Sequence, residues 1–203
     1  MRWLGAGLGV LGLLQMAADL AGLPAGLADV AVRLIHACGM TDIVGDLAFG
    51  GEIVSTARRA LAKGAPVICD VRMTADGIIR NRLPAANDVV CEIRSPDTVR
   101  IAAEAETTRS AAAVELWRPR LAGAVVAIGN APTALFRLLD VLADGGPAPA
   151  AILAFPVGFV GAAESKEALI ADSHGVPYLT LRGRRGGSAL AAAAVNALAG
   201  EPK

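Results

Sequence analysis

Short apolar runs alternate along this chain with longer segments whose apolar positions recur every three or four residues. Five runs have the length and composition of strands: residues 65–71 (APVICDV), 88–93 (DVVCEI), 124–128 (AVVAI), 151–155 (AILAF) and 177–181 (PYLTL). They are apolar at nearly every position, which suits strands covered on both faces within a parallel sheet. Helical segments lie between and before them: residues 27–37, 53–63, 98–106, 110–117, 133–143, 165–171 and 188–198, with a further start near Met16 to Leu20. Strand alternating with helix predicts an α/β fold, a three-layer α/β/α arrangement around a mainly parallel sheet of about five strands.

Turn residues fall where this pattern needs them. Asp144-Gly145-Gly146-Pro147 stops a helix, and Gly64-Ala65-Pro66 precedes the first run. Glycine and then proline is the usual order beyond a helix end. No linker, repeat or long low-complexity stretch divides the chain, so one domain is expected over residues 16–203, preceded by an atypical apolar segment at 1–15. In such a sheet, ligands bind beyond the carboxyl ends of the strands. The residues there are Asp70, Arg72 and Met73; Gly129-Asn130-Ala131-Pro132-Thr133; Pro156 to Gly161; and Arg182-Gly183-Arg184-Arg185-Gly186-Gly187-Ser188.

Composition narrows the classes. Of 203 residues, 54% are apolar, mean hydropathy is +0.52 and only 3% are aromatic. Disorder is excluded, and the core must be built from Ala, Val, Leu and Ile. Formal net charge is zero and no basic stripe carries interleaved aromatics, which argues against a nucleic-acid partner. Low net charge leaves self-association unopposed. Cys38, Cys69 and Cys91 show no paired or metal-ligand spacing, so neither a disulfide framework nor a metal site is expected, in keeping with a reducing cytoplasm. Residues 3–18 are uncharged after Arg2, which fits a signal peptide or an apolar helix docking on the body or on a second subunit. The smooth run into helical sequence favours docking, and the stretch is short for a membrane span.

Candidate chemistry begins with Arg33-Leu34-Ile35-His36. Residues three apart share a helical face, so Arg33 could hold a carboxylate beside an imidazole able to give or take a proton near neutral pH. A histidine at a helix boundary can equally be a satisfied packing residue. The loop from Arg182 to Ser188 leads into a helix N-terminus. It suits an anion, or it is a solvated loop with surface ion pairs. Thr107-Thr108-Arg109-Ser110 caps a helix starting near Ala111, leaving Arg109 at the surface or in the cleft. There is no Walker loop, no G-x-G-x-x-G after the first strand and no G-x-S-x-G elbow, which disfavours ATP, NAD and serine hydrolysis.

Taken in order, six blocks resemble the precorrin-8X methylmutase and cobalt-precorrin-8 methylmutase family. They are RLIHACG from Arg33, GAPVICDV from Gly64, TTRSAAA from Thr107, AIGNAPTALF from Ala127, PVGFVGAAESK from Pro156 and RGRRGGS from Arg182. The resemblance runs from about residue 16 to 199. It implies a cofactor-free isomerase of corrin synthesis. The reaction moves a methyl group from C-11 to C-12 of precorrin-8X, giving hydrogenobyrinic acid, or acts on the cobalt-containing ring to give cobyrinate. His36 matches the family's essential histidine, with the role of protonating the macrocycle. Arg33 and Arg109 are implied as carboxylate partners, with Arg72, Asn130, Thr133, Arg182, Arg185 and Ser188 as further contacts. Met73, Val157 and Phe159 would cover the ring's apolar faces. His174 matches no family site and is expected to face solvent.

The resemblance also implies a homodimer with a shared site, a cytoplasmic location, no membrane and contacts with neighbouring pathway enzymes. The chain departs from the family at its start. Val10 stands where the family has a serine, and Gln15 where an arginine is common. A non-catalytic carrier of corrinoid intermediates is the alternative that this departure suggests.

Overall fold

The computed structural model describes residues 20–24 and 26–200. The expected early helical start near Met16 and the positions Val10 and Gln15 lie outside them. A 12-residue helix, α1 (Leu27–Cys38), is the first element among the described residues. It ends where Gly39 takes a left-handed conformation (φ 72°) and donates its N–H to the Ile35 carbonyl at 2.7 Å. A residue with a Cβ is strained there, which explains the break after Cys38. A 3-10 turn (Asp42–Asp46) then leads into strand β1 (Leu47–Gly50).

The rest alternates as the sequence predicts. Helix α2 (Ile53–Ala62), β2 (Val67–Cys69), α3 (Arg72–Asp76), β3 (Val89–Val90), α4 (Pro96–Glu104), α5 (Arg109–Glu115) and α6 (Arg118–Leu121) come first. Strand β4 (Val125–Ile128), α7 (Pro132–Ala143), β5 (Ala151–Ala154), α8 (Ala162–Ala171), β6 (Tyr178–Leu181) and α9 (Ser188–Ala199) follow. All five predicted strands form, each shorter than its apolar run. The sheet has a sixth member, β1, which pairs antiparallel with β6 at the edge. Its sequence, LAFG, lacks β-branched residues and follows no strand-like run, so only the tertiary pairing reveals it. The short α3 and α6 also carry no periodic signal of their own.

Strand order is β1-β6-β5-β4-β2-β3, with every pair except β1–β6 parallel. The period-two alternation of the strands divides the core into two layers. Val67, Cys69, Val125, Ala127, Ala151, Leu153, Leu179 and Leu181 face α1, α2 and α9. Ile68, Val126, Ile128, Ile152, Ala154 and Tyr178 face the opposite layer, where Val114, Trp117, Leu135, Leu138 and Leu169 pack. This is the three-layer α/β/α fold. Burying both faces removes roughly 1.5–3 kcal/mol of apolar exposure per large side chain, and Trp117 and Phe155 are the only aromatic side chains among the largest fully buried ones. Cys69 is buried, Cys38 and Cys91 are half-buried, and all three are free thiols. Among the described residues, no helix is long and apolar enough to cross a membrane.

Candidate active site

The parallel strands run β3-β2-β4-β5-β6 across the sheet, so the winding reverses between β2 and β4. Connections leave those two strands toward opposite sides and open a crevice beyond their carboxyl ends. Asp70, the residue after β2, forms its floor. It is 1% exposed. Its Oδ1 accepts the Gly129 N–H at 2.9 Å, and its Oδ2 accepts those of Asn130 and Ala131, each at 2.9 Å. The Thr74 hydroxyl donates a longer bond of 3.4 Å. Burial pushes the Asp70 carboxyl above the ordinary carboxylate range, against the pull of those N–H groups. The carboxylate is thereby spent on fixing the turn after β4. Gly129 belongs to the same joint. A Cβ there would lie 2.5 Å from Thr74 Oγ1 and 2.6 Å from Ser188 Cα, so only glycine lets β4, α3 and the start of α9 meet.

That turn delivers Asn130, exposed, and Thr133, exposed on the first turn of α7. Thr133 Oγ1 lies 2.8 Å from Thr108 Oγ1. Thr108 caps α5 as the sequence predicts, accepting the Ala111 N–H at 3.1 Å, although the helix starts earlier, at Arg109. At the other end of α5, half-buried Glu115 accepts from Arg137 Nε of α7 at 2.6 Å and from Arg118 Nε at 2.7 Å. Helix α5 is thus tied to α7 at both ends. Arg109, its first residue, is exposed, and no carboxylate among the described residues pairs with it.

Arg72 opens α3 two residues after Asp70 and pairs with Asp76 at 3.2 Å, both more than half exposed. An exposed pair of this kind is worth under about 1 kcal/mol, so a ligand carboxylate competes with it readily. Large apolar side chains stand open around the same strand ends: Met73 is 76% exposed, Phe159 84% and Val160 89%. The Arg184 guanidinium carbon sits 5.6 Å from the centroid of the Phe159 ring.

The loop after β6 is less free than its charge suggests. Arg182 pairs with Glu167 at 2.6 Å. Arg185 reaches Asp42 at 2.6 Å and also Asp46. Two of its three arginines therefore already hold carboxylates of this chain, which the sequence could not show because Asp42 and Asp46 lie some 140 residues away. Ser188 begins α9, half-buried against Gly129. Two further residues were not singled out from sequence as polar anchors: Thr108, read as a cap alone, and Lys166.

His36 lies exposed in the last turn of α1, and no hydrogen bond or ion pair from a described residue occupies its imidazole. The chain continues from it to Asp42, held by Arg185, and to Leu47, paired with Leu181 at the carboxyl end of β6. Arg33, one turn earlier on the same helix, is half-buried. It lines a cleft of about 530 Å³ with Asp29, Arg58, Arg82 and the last turn of α9. That turn is a helix length from Ser188, about 15 Å at 1.5 Å per residue. Arg33 therefore sits apart from the Asn130–Thr133–Arg109 group within one chain. His174 is exposed, at positive φ (52°), in a turn where its N–H bonds Asp172. Among the described residues, no three His, Cys, Asp or Glu side chains converge as a metal site.

A polar, arginine-flanked and partly apolar end of a doubly wound sheet has the chemistry to hold an anionic molecule with an apolar body. Comparison with known proteins specifies the class. The family model described as precorrin-8X methylmutase matches residues 12–201. A precorrin-8X methylmutase of Pseudomonas aeruginosa is 62% identical over 184 residues, covering 91% of this chain and 88% of that protein. One from a Sinorhizobium species is 57% identical over 187 residues, covering 92% and 89%. The solved structure of the Thermus thermophilus precorrin-8X methylmutase superposes with a TM-score of 0.85 at 33% identity, covering 94% of this chain and 93% of that one. The chain belongs to the precorrin-8X methylmutase family.

Proposed function

We propose that this chain isomerises precorrin-8X, moving the methyl group from C-11 to C-12 to give hydrogenobyrinic acid. The observation that carries this reading is the 62% identity, over 91% of the chain, to a protein bearing that name. The Pseudomonas aeruginosa and Sinorhizobium relatives, at 62% and 57% identity, are named for precorrin-8X and not for its cobalt-containing counterpart, which favours the metal-free ring.

The geometry fits the chemistry. The substrate is an apolar macrocycle fringed with acetate and propionate groups. Arg109, with no carboxylate partner among the described residues, and Arg72, weakly paired, take carboxylates, with Asn130 and Thr133 as hydrogen-bond partners beside them. Met73, Val157, Phe159 and Val160 cover a ring face. Ser188 closes the floor of the crevice, while Arg182 and Arg185 shape the loop around it. His36 delivers the proton. In a suprafacial 1,5-shift the methyl group leaves C-11 as it bonds to C-12, no atom is gained or lost, and a proton held on the macrocycle selects the product tautomer. A positioned acid of this kind accelerates a reaction by roughly 10²–10⁴-fold. Arg33 holds a carboxylate on the same helical face as His36. Because Arg33 and Arg109 lie apart in one chain, we infer a homodimer in which two subunits complete each site. The exposed apolar residues at the strand ends support that arrangement. We assign the catalytic domain to residues 16–203, place the protein in the cytoplasm and expect it to pass intermediates to neighbouring pathway enzymes.

The test is anaerobic incubation of the purified chain with precorrin-8X, read by visible absorbance and mass. The expected result is a shift to the hydrogenobyrinic acid chromophore at unchanged mass. Bound but unconverted substrate would instead identify a carrier.

A further inference from the structure

Lys166 is fully buried in α8, yet no carboxylate among the described residues contacts its amine. A buried ammonium is costly unless hydrogen bonds compensate it, and an apolar residue of similar volume would fill the space more cheaply. The amine donates to the main-chain carbonyl of Arg185 at 2.7 Å. Arg185 is where the loop after β6 turns toward the rest of the molecule. Its guanidinium spans Asp42 and Asp46, at the two ends of the 3-10 turn that follows α1. The Arg182 N–H adds a bond of 2.8 Å to the Asp46 carbonyl. One chain of contacts therefore runs from α8 through residues 182–188 to the segment connecting His36 with β1.

We propose that Lys166 is a positioning residue: its buried amine seats the main chain of the 182–188 loop, so that Arg185 locks that loop to the turn following His36. This rests on the reading above, in which His36 and the loop border the same bound ring. A main-chain acceptor suits the task, because it fixes the loop's path while leaving the Arg185 side chain to reach outward. The partial cation–π contact between Arg184 and Phe159 then inherits a fixed loop on one side. No substrate contact is required of Lys166.

The experiment compares the full-length protein with Lys166→Met, Arg185→Met and the double variant. Amide hydrogen exchange is followed over residues 41–47, 132–143 and 181–188, and KM and kcat are measured with precorrin-8X. Lys166→Met should speed exchange by at least about tenfold in both 181–188 and 41–47, corresponding to loss of one orienting interaction near 1.4 kcal/mol, and leave 132–143 unchanged. It should raise KM by roughly tenfold with kcat within about threefold, the pattern of lost orientation without lost chemistry. The double variant should be no worse at 41–47 than Arg185→Met alone, since both act through one chain of contacts. Unchanged exchange at 41–47 in Lys166→Met, or additive effects in the double variant, would overturn the proposal. If Lys166→Met does not fold, Lys166→Leu, which likewise removes the donor, carries the same test, while Lys166→Gln, which keeps a donor, should hold exchange at 41–47 near the wild-type rate. Failure of the wild-type protein to convert precorrin-8X would contradict the functional reading alone, while the exchange data still decide whether the lock exists.

Discussion

The Lys166 amine and the Asp70 carboxylate are both buried, and each is spent on main-chain groups that shape a loop. Asp70 serves three N–H donors at once. Stranding such donors costs about 1–3 kcal/mol each, so the turn after β4 is a stiff joint. Lys166 has a measurable signature in pH. Burial lowers its pKa to about 8, against an ordinary lysine value of 10.5, with Glu167 and Asp46 opposing the shift. Below pH 8 the folded state carries the full penalty of a buried charge. Between pH 8 and 10.5 the unfolded chain binds the extra proton, so this residue makes stability rise with pH across that window. Urea unfolding at pH 7.5 and 9.5 should show the wild type gaining stability relative to Lys166→Met. Parallel changes in the two proteins would show that the amine is not held as described. Sequence alone marked Asp70 as lying beyond a strand end. It gave no sign of Lys166's burial, because a lysine between Glu164 and Glu167 in the first turns of a helix is ordinarily a surface residue.

Among the elements, the junction of α5 and α7 matters most to the site. Thr108 and Thr133 are 25 residues apart in sequence and share one hydroxyl–hydroxyl contact of 2.8 Å. Glu115 fastens the far end, and its carboxyl is held below the usual range by Arg118 and Arg137 despite the opposing effect of burial. Thr133→Val removes the bridge while keeping side-chain shape and leaving the Thr108 cap intact. We expect hydrogenobyrinic acid to bind such a variant roughly three- to tenfold more weakly, the value of one net hydrogen bond near 1 kcal/mol, with the melting temperature nearly unchanged. Titration calorimetry with the product decides this, and equal affinity would remove the junction from the site. The capping role of Thr108 was legible locally, since a threonine before an alanine-rich helix start has few other uses. Its partner was not, because hydroxyl pairs depend on how two helices dock. Strands were legible through their apolar runs, whereas β1 was not: its LAFG sequence acquires strand conformation only by pairing with β6.

At the scale of the molecule, the parallel order and the reversal between β2 and β4 place the candidate residues that follow β2, β4, β5 and β6 at one end of the sheet. The alternation of strands and helices announced that architecture, and the order of motifs announced the family. What the chain's local pattern could not convey was the division of the candidates. Arg182 and Arg185 are tied to Glu167, Asp42 and Asp46, while Arg33 faces a cleft beside the end of α9. Long-range ion pairs and helix packing decide both facts. The proposed chemistry turns on His36, exposed at the end of α1 with no described side chain occupying its imidazole. The most direct measurement is a single-turnover assay of His36→Ala beside the wild type, with precorrin-8X under anaerobic conditions and binding followed separately. We expect the variant to bind the ring with affinity close to wild type and to convert it at least about 10²-fold more slowly. Conversion at the wild-type rate would contradict this role of His36.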